Sequence, residues 1–144
     1  MTETVKQQTD SDCFLACAAM AAGVSYDEAA ECVPVDLLRK IQRHGTYDQD
    51  VQRLFSAIGL ESESLSNVKT RVSDYPGYGV VTFLMLLLWG RRACIQVPSK
   101  NRSGWMHVVY WSGEQLHDPS TKETYTLPEI VPINVWVFKE PPDA

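Results

Sequence analysis

Apolar and polar positions follow two different periods along this chain, helical in its first half and strand-like in its second. Ser11 and Asp12 are helix-capping residue types that precede Phe14-Leu15-Ala16-Cys17-Ala18-Ala19-Met20-Ala21-Ala22, and Gly23 supplies a left-handed stop. The run is apolar nearly all round, which predicts a buried helix, and its alanines let neighbouring elements approach closely. Ser25 with Glu28 forms a capping-box signature that opens a second helix, and this helix must end before Pro34. Leu37, Leu38 and Ile41 predict a short helix closing at Gly45. Thr46 with Gln49 repeats the capping-box signature, and Val51, Leu54, Phe55 and Ile58 then lay down a core-facing stripe that Gly59 ends.

The character then changes. Ser62 to Gly79 is polar and reads as a loop, with Pro76-Gly77 as its turn signal. Phe83 to Trp89 predicts a short buried helix stopped by Gly90. Three strand-like runs follow: Ala93 to Val97, His107 to Trp111 and Val135 to Phe138. Pro98 to Gly104 can join the first two as a hairpin, and Gly113 to Gln115 turns the chain into Leu116-His117-Asp118-Pro119. Helices first and an antiparallel sheet afterwards make an α+β pattern.

Composition narrows the function. The 144 residues suit one domain, and 44% apolar with 22% charged leaves enough to bury a core. A net charge of −5 removes the electrostatic driver for nucleic-acid binding. Val80 to Trp89, the most apolar run, is about half the length that a bilayer-spanning helix needs. The polar N-terminus has no signal-peptide core, so a cytoplasmic protein with reduced thiols is expected, bound neither to membrane nor to nucleic acid. Of Cys13, Cys17, Cys32 and Cys94 only the first two are closely spaced, so no structural zinc is expected. Cys17, Cys32 and Cys94 read as core residues.

Cys13 carries the chemical interest. It stands at the start of a buried helix, where unpaired N–H groups and the helix dipole favour an anion and so a nucleophilic sulfur. The competing reading is a small core residue. A cysteine nucleophile needs an imidazole, and the imidazole needs an acceptor to fix its tautomer. His44 sits at a helix C-terminus, where a solvated histidine is the usual explanation, and His117 points to the opposite face from Asp118. His107 begins an apolar strand, and the turn at Gly113 can bring Asp118 of the next run beside it.

Four blocks in order resemble the papain-like cysteine peptidases of the bacteriocin-processing C39 group: QQTDSDCFLACAAMAAG, GTYDQDVQRLFSAIGLE, FLMLLLWGRRACIQV and GWMHVVYWSGEQLHDPS. The resemblance implies one papain-fold domain over residues 1–144, with N-terminal helices packed on a C-terminal antiparallel sheet, and a thiol hydrolase cleaving a peptide or amide bond without metal or organic cofactor. It makes Cys13 the nucleophile, His107 the base and later the acid, and Asp118 the group that orients the imidazole. Gln7, six residues before Cys13, would hold the oxyanion together with the Cys13 N–H. Phe14 stands where the family has Gly after the cysteine. Its ring either narrows the cleft, bearing on the family's preference for Gly-Gly before the cut, or turns into the core. Trp105 is placed to line a substrate groove. No Walker A loop is present, so a free-standing domain is expected. The alternatives are an inactive papain-fold domain that binds a peptide or protein partner, and a deamidase or transglutaminase-like effector using the same triad.

Overall fold

The structure is a computed structural model that describes residues 3–65, 87–99, 105–126 and 130–140. Among the described residues four helices, α1 (Cys13–Ala22), α2 (Tyr26–Cys32), α3 (Val35–His44) and α4 (Asp48–Ile58), precede a sheet built from β1 (Ser62–Leu65), β2 (Ala93–Pro98), β3 (Met106–Trp111), β4 (Leu116–His117), β5 (Thr124–Tyr125) and β6 (Asn134–Phe138). Strand order is β1-β6-β2-β3-β4-β5, with every neighbouring pair antiparallel. This is the α+β architecture that the hydrophobic pattern predicts.

Why α1 is the central helix follows from its sequence. Every side chain from Phe14 to Ala21 is buried, and the small ones let the helix lie against β2 and β3 on one side and α2 and α4 on the other. Gly23 ends it in the left-handed conformation, φ 71°, as the stop signal requires. Alternation along the strands then divides the core. Cys94, Val108, Tyr110, Trp136 and Phe138 face the helices, whereas Ala93, Ile95, Val109, Trp111, Val135 and Val137 face the other way around Leu88 and Leu116.

Local signals were realised unevenly. The Ser25–Glu28 capping box forms in both directions, with Glu28 N–H donating to Ser25 Oγ at 3.1 Å and Ser25 N–H to Glu28 Oε1 at 3.2 Å. The Thr46–Gln49 box does not form. Helix α4 is instead capped at Tyr47 without a side-chain bond, and the Thr46 hydroxyl is buried with no partner among the described residues. Ser62–Leu65, read as loop, is an edge strand paired with β6 from Ser62↔Phe138 to Leu65↔Val135. Its polar side chains gave no alternating signal because main-chain pairing at a solvated edge does not need one. Cys32, read as core, is exposed at the end of α2. Of the run from Phe83, only Leu87 to Trp89 is described, with Leu87 and Leu88 helical and Gly90 at φ 67° after them. The Pro76-Gly77 turn lies outside the described residues.

Candidate active site

Antiparallel pairing brings the chemistry-bearing residues together. Strand β3 pairs with β4 through Tyr110↔His117 and Trp111↔Leu116 around the turn at Gly113, φ 103°. Continued past the last paired residues, that register sets Ser120 opposite His107 and makes Asp118 its diagonal neighbour on the same face. The side chains meet: His107 Nε2 lies 2.8 Å from Asp118 Oδ1. Asp118 is itself held, since its Oδ1 also accepts from Ser120 N–H at 2.9 Å and from Ser120 Oγ at 2.7 Å. With Nε2 engaged, Nδ1 is the ring nitrogen left for another partner. The Cys13 thiol, on the first residue of α1, is near enough to raise the pKa of the same imidazole.

Electrostatics follow from this packing. Burial of the His107 ring disfavours its charged form, but hydrogen bonds to Asp118 and Cys13, with the negative charge near both, outweigh that and raise its pKa to about 9. Burial alone would push the Asp118 carboxyl up, yet the His107 and Ser120 hydrogen bonds hold it down at about 2. The imidazolium–carboxylate pair is therefore favoured by the fold across the neutral range.

A pH dependence of stability follows. The raised His107 pKa contributes stability that is complete below its ordinary value near 6.5 and is lost as pH rises through about 9. The lowered Asp118 pKa contributes stability present above 3.8 and lost as pH falls through about 2. Melting temperature should thus hold a plateau between about pH 4 and 6.5 and decline towards pH 9. His107→Gln should flatten the alkaline decline, as thermal denaturation across the range would report.

Gln7 enters from the N-terminal segment, which is tied down twice. Gln7 N–H donates to Pro119 O at 2.9 Å, and Thr4 Oγ1 meets Nδ1 of the buried His117 at 2.7 Å. In this state the Gln7 side-chain Nε2 donates to Thr9 O at 2.7 Å, while its Oε1 is buried without a partner among the described residues. Among the described residues no hydrogen bond joins Gln7 and Cys13. The segment is fixed by Asp12, the residue just before Cys13, whose buried carboxylate accepts from Gln8 N–H at 3.3 Å, Thr9 N–H at 3.0 Å and the Tyr26 hydroxyl. Asp12 reads from sequence only as a cap, yet it makes no side-chain capping bond to α1. Burial and this carboxylate together push the Tyr26 hydroxyl pKa far up.

Two hollows lie at the site, one bordered by His107 and the other by Cys13. One, of 360 Å³, is lined by Gln7, His107, Asp118 and Tyr125 among others, and the second, of 140 Å³, holds Cys13, Trp105, Gln96 and His44. Asp10 borders both. Trp105 is 58% exposed on the lip of the smaller one. Phe14 reaches that hollow only as part of its wall, because the ring packs edge-on against Trp136 at 5.0 Å and tilts onto Phe55 at 6.3 Å. Cys17 is fully buried, and burial, followed by its contact with Cys94, raises its pKa well above the ordinary thiol range. Among the described residues, no group of three or more His, Cys, Asp or Glu side chains is arranged to hold a metal ion, and no helix is long and apolar enough to cross a membrane.

Comparison with known proteins bears on the architecture. No family profile and no curated protein sequence matches the chain. Among solved structures, a double glycine motif protease from an AMS/PCAT transporter, in complex with the leader peptide, overlays with a TM-score of 0.53 at 16% identity, over 98% of this chain and 93% of that one. The peptidase domain of Streptococcus ComA, a bi-functional ABC transporter involved in a quorum sensing pathway, overlays with a TM-score of 0.56 at 17% identity, over 97% and 100% respectively. The fold is that of papain-like C39 peptidase domains, as the four sequence blocks imply.

Proposed function

We propose that this chain is a papain-like thiol hydrolase that cleaves a peptide or amide bond through Cys13, His107 and Asp118. One observation carries the reading: His107 Nε2 lies 2.8 Å from Asp118 Oδ1, and the thiol at the head of α1 is near enough to the same imidazole to raise its pKa. In the reaction the thiol proton resides on His107 before sulfur attacks the carbonyl, and the imidazolium gives a proton to the departing amine as the thioester forms. Water then attacks the thioester with the same imidazole as base, releasing the acid and restoring the thiol. Asp118 keeps the ring in the tautomer with hydrogen on Nε2 and stabilises the imidazolium. The Cys13 N–H, unpaired by position at the helix start, is a donor for the developing oxyanion. The Gln7 amide joins it by exchanging the Thr9 carbonyl for the substrate oxygen. The fold neighbour solved with a leader peptide supports a peptide as the substrate class.

Selective alkylation tests the reading, and the fold supplies a demanding control. Cys32 is exposed, Cys13 only half-buried, and Cys17 and Cys94 fully buried. If exposure governed reactivity, Cys32 would react first. Iodoacetamide followed by peptide mapping at pH 7 should instead modify Cys13 ahead of Cys32. A faster Cys32 would count against a reactive centre at Cys13.

A further inference from the structure

The hollow beside Cys13 contains a side-chain donor that the triad does not use. Gln96 interrupts the apolar run of β2, and its alternation places it on the helix-facing side with Cys94. It lines the hollow with Cys13, Thr46, Trp105 and Val108. Its one side-chain hydrogen bond among the described residues runs to its cross-strand partner: Asn134 Nδ2 donates to Gln96 Oε1 at 2.6 Å. This bond fixes the amide. With the oxygen taken, the NH₂ end is what remains to meet a ligand, in a position set by packing rather than chosen on binding.

Backbone pairing explains why a side chain is needed there. β2 is flanked by β3 and β6, and the Gln96 carbonyl already accepts from Ile133 N–H at 2.8 Å. A bound chain therefore has no free strand edge to add to at this point. The Thr46 hydroxyl, buried and without a partner among the described residues, is a second polar group lining the same hollow. At 140 Å³ the space is smaller than pockets for drug-sized ligands and suits a short length of extended main chain.

We propose that Gln96 is a substrate-binding residue, its side-chain amide, aimed by Asn134, donating a hydrogen bond to a main-chain carbonyl of an extended peptide lying beside Cys13. This rests on the thiol-hydrolase reading. Asn134 is the positioning residue, and the contact gives affinity for peptide backbone whatever the side chains.

The experiment compares a peptidyl and a non-peptidyl alkylator of the same sulfur. Acetyl-Ala-Ala-Ala and acetyl-Ala-Gly-Gly chloromethyl ketones are the peptidyl probes and iodoacetamide the other, each read as a second-order rate at Cys13. In Gln96→Leu the rate with the better peptidyl probe should fall about tenfold, with iodoacetamide unchanged within about twofold. Asn134→Asp should act the same way, because its carboxylate draws the Gln96 NH₂ away from the hollow. Gln96→Glu, which keeps the shape but exchanges donor for acceptor, decides the matter if Gln96→Leu fails to fold. A peptidyl rate in the folded Gln96 variant within about twofold of the original protein overturns the proposal, as does a peptidyl probe no faster than iodoacetamide in the original protein. Failure of iodoacetamide to favour Cys13 overturns the hydrolase reading itself and is seen separately.

Discussion

Replacing His107 by alanine should reverse the order in which the thiols react. On the proposed reading Cys13 leads in the intact protein because an imidazole takes its proton while Asp118, 2.8 Å away, holds the ring in place. Without the ring, Cys13 keeps its half-buried position and loses the base, so exposed Cys32 should be alkylated first. The same change should lower turnover of a peptide substrate by about 10²–10⁴-fold, the range that a positioned general base contributes. Asp118→Asn should fall in the same direction. An amide can accept from Nε2–H or donate to a bare Nε2, and the second arrangement puts hydrogen on Nδ1, where the thiol needs an acceptor. Alkylation rates, peptide maps and turnover on one protein preparation would measure all of this. If His107→Ala leaves Cys13 ahead of Cys32, the imidazole is a neighbour of the sulfur and not its base.

How far the sequence made this legible depends on how local each signal was. Helix α1, the Ser25–Glu28 cap and the glycine stops at Gly23 and Gly59 rest on residues within one or two turns, and all are present. The same logic missed at Thr46, where the helix cap falls one residue later, at Tyr47, and leaves the hydroxyl buried. Strand β1 was invisible because the stabilising partner, β6, lies some seventy residues away and pairs through main chain. Cys13, His107 and Asp118 could be singled out from helix start, strand start and turn, and His107 and Asp118 meet at 2.8 Å with the Cys13 thiol near enough to raise the pKa of the ring. Gln7 lies in the adjoining segment with its amide turned to Thr9. Gln96 carried a signal, a lone amide in an apolar strand, whose meaning depends on Asn134 across the sheet. Phe14 left two destinations open, and the aromatic neighbours that drew it inward, Trp136 and Phe55, are distant in sequence.

Asp12→Ala should cost about 3–5 kcal/mol of stability, because it strands several buried polar groups at once. The Asp12 carboxylate has no exposed surface and accepts from Gln8 N–H, Thr9 N–H and the Tyr26 hydroxyl, which in turn accepts from Gln42 Nε2 at 3.1 Å. Alanine removes the common acceptor, and its small side chain leaves no room-filling substitute. Tyr26→Phe, which deletes one donor and leaves the carboxylate its two N–H partners, should cost only about 1–2 kcal/mol. Because the two residues share one hydrogen bond, the double variant should be less unstable than the sum of the single ones. Urea unfolding of the three variants would measure this, and strict additivity would mean that Asp12 and Tyr26 are not coupled. The consequence extends to the site. Asp12 links the head of α1, where Cys13 stands, to the segment whose Gln7 N–H is bonded to Pro119, next to Asp118. Loss of its carboxylate frees Gln8 and Thr9 to move, and with them the Thr9 carbonyl that holds the Gln7 amide. Asp12→Asn keeps one acceptor oxygen but turns an NH₂ group towards donors, so its stability should lie between those of Asp12→Ala and the original protein.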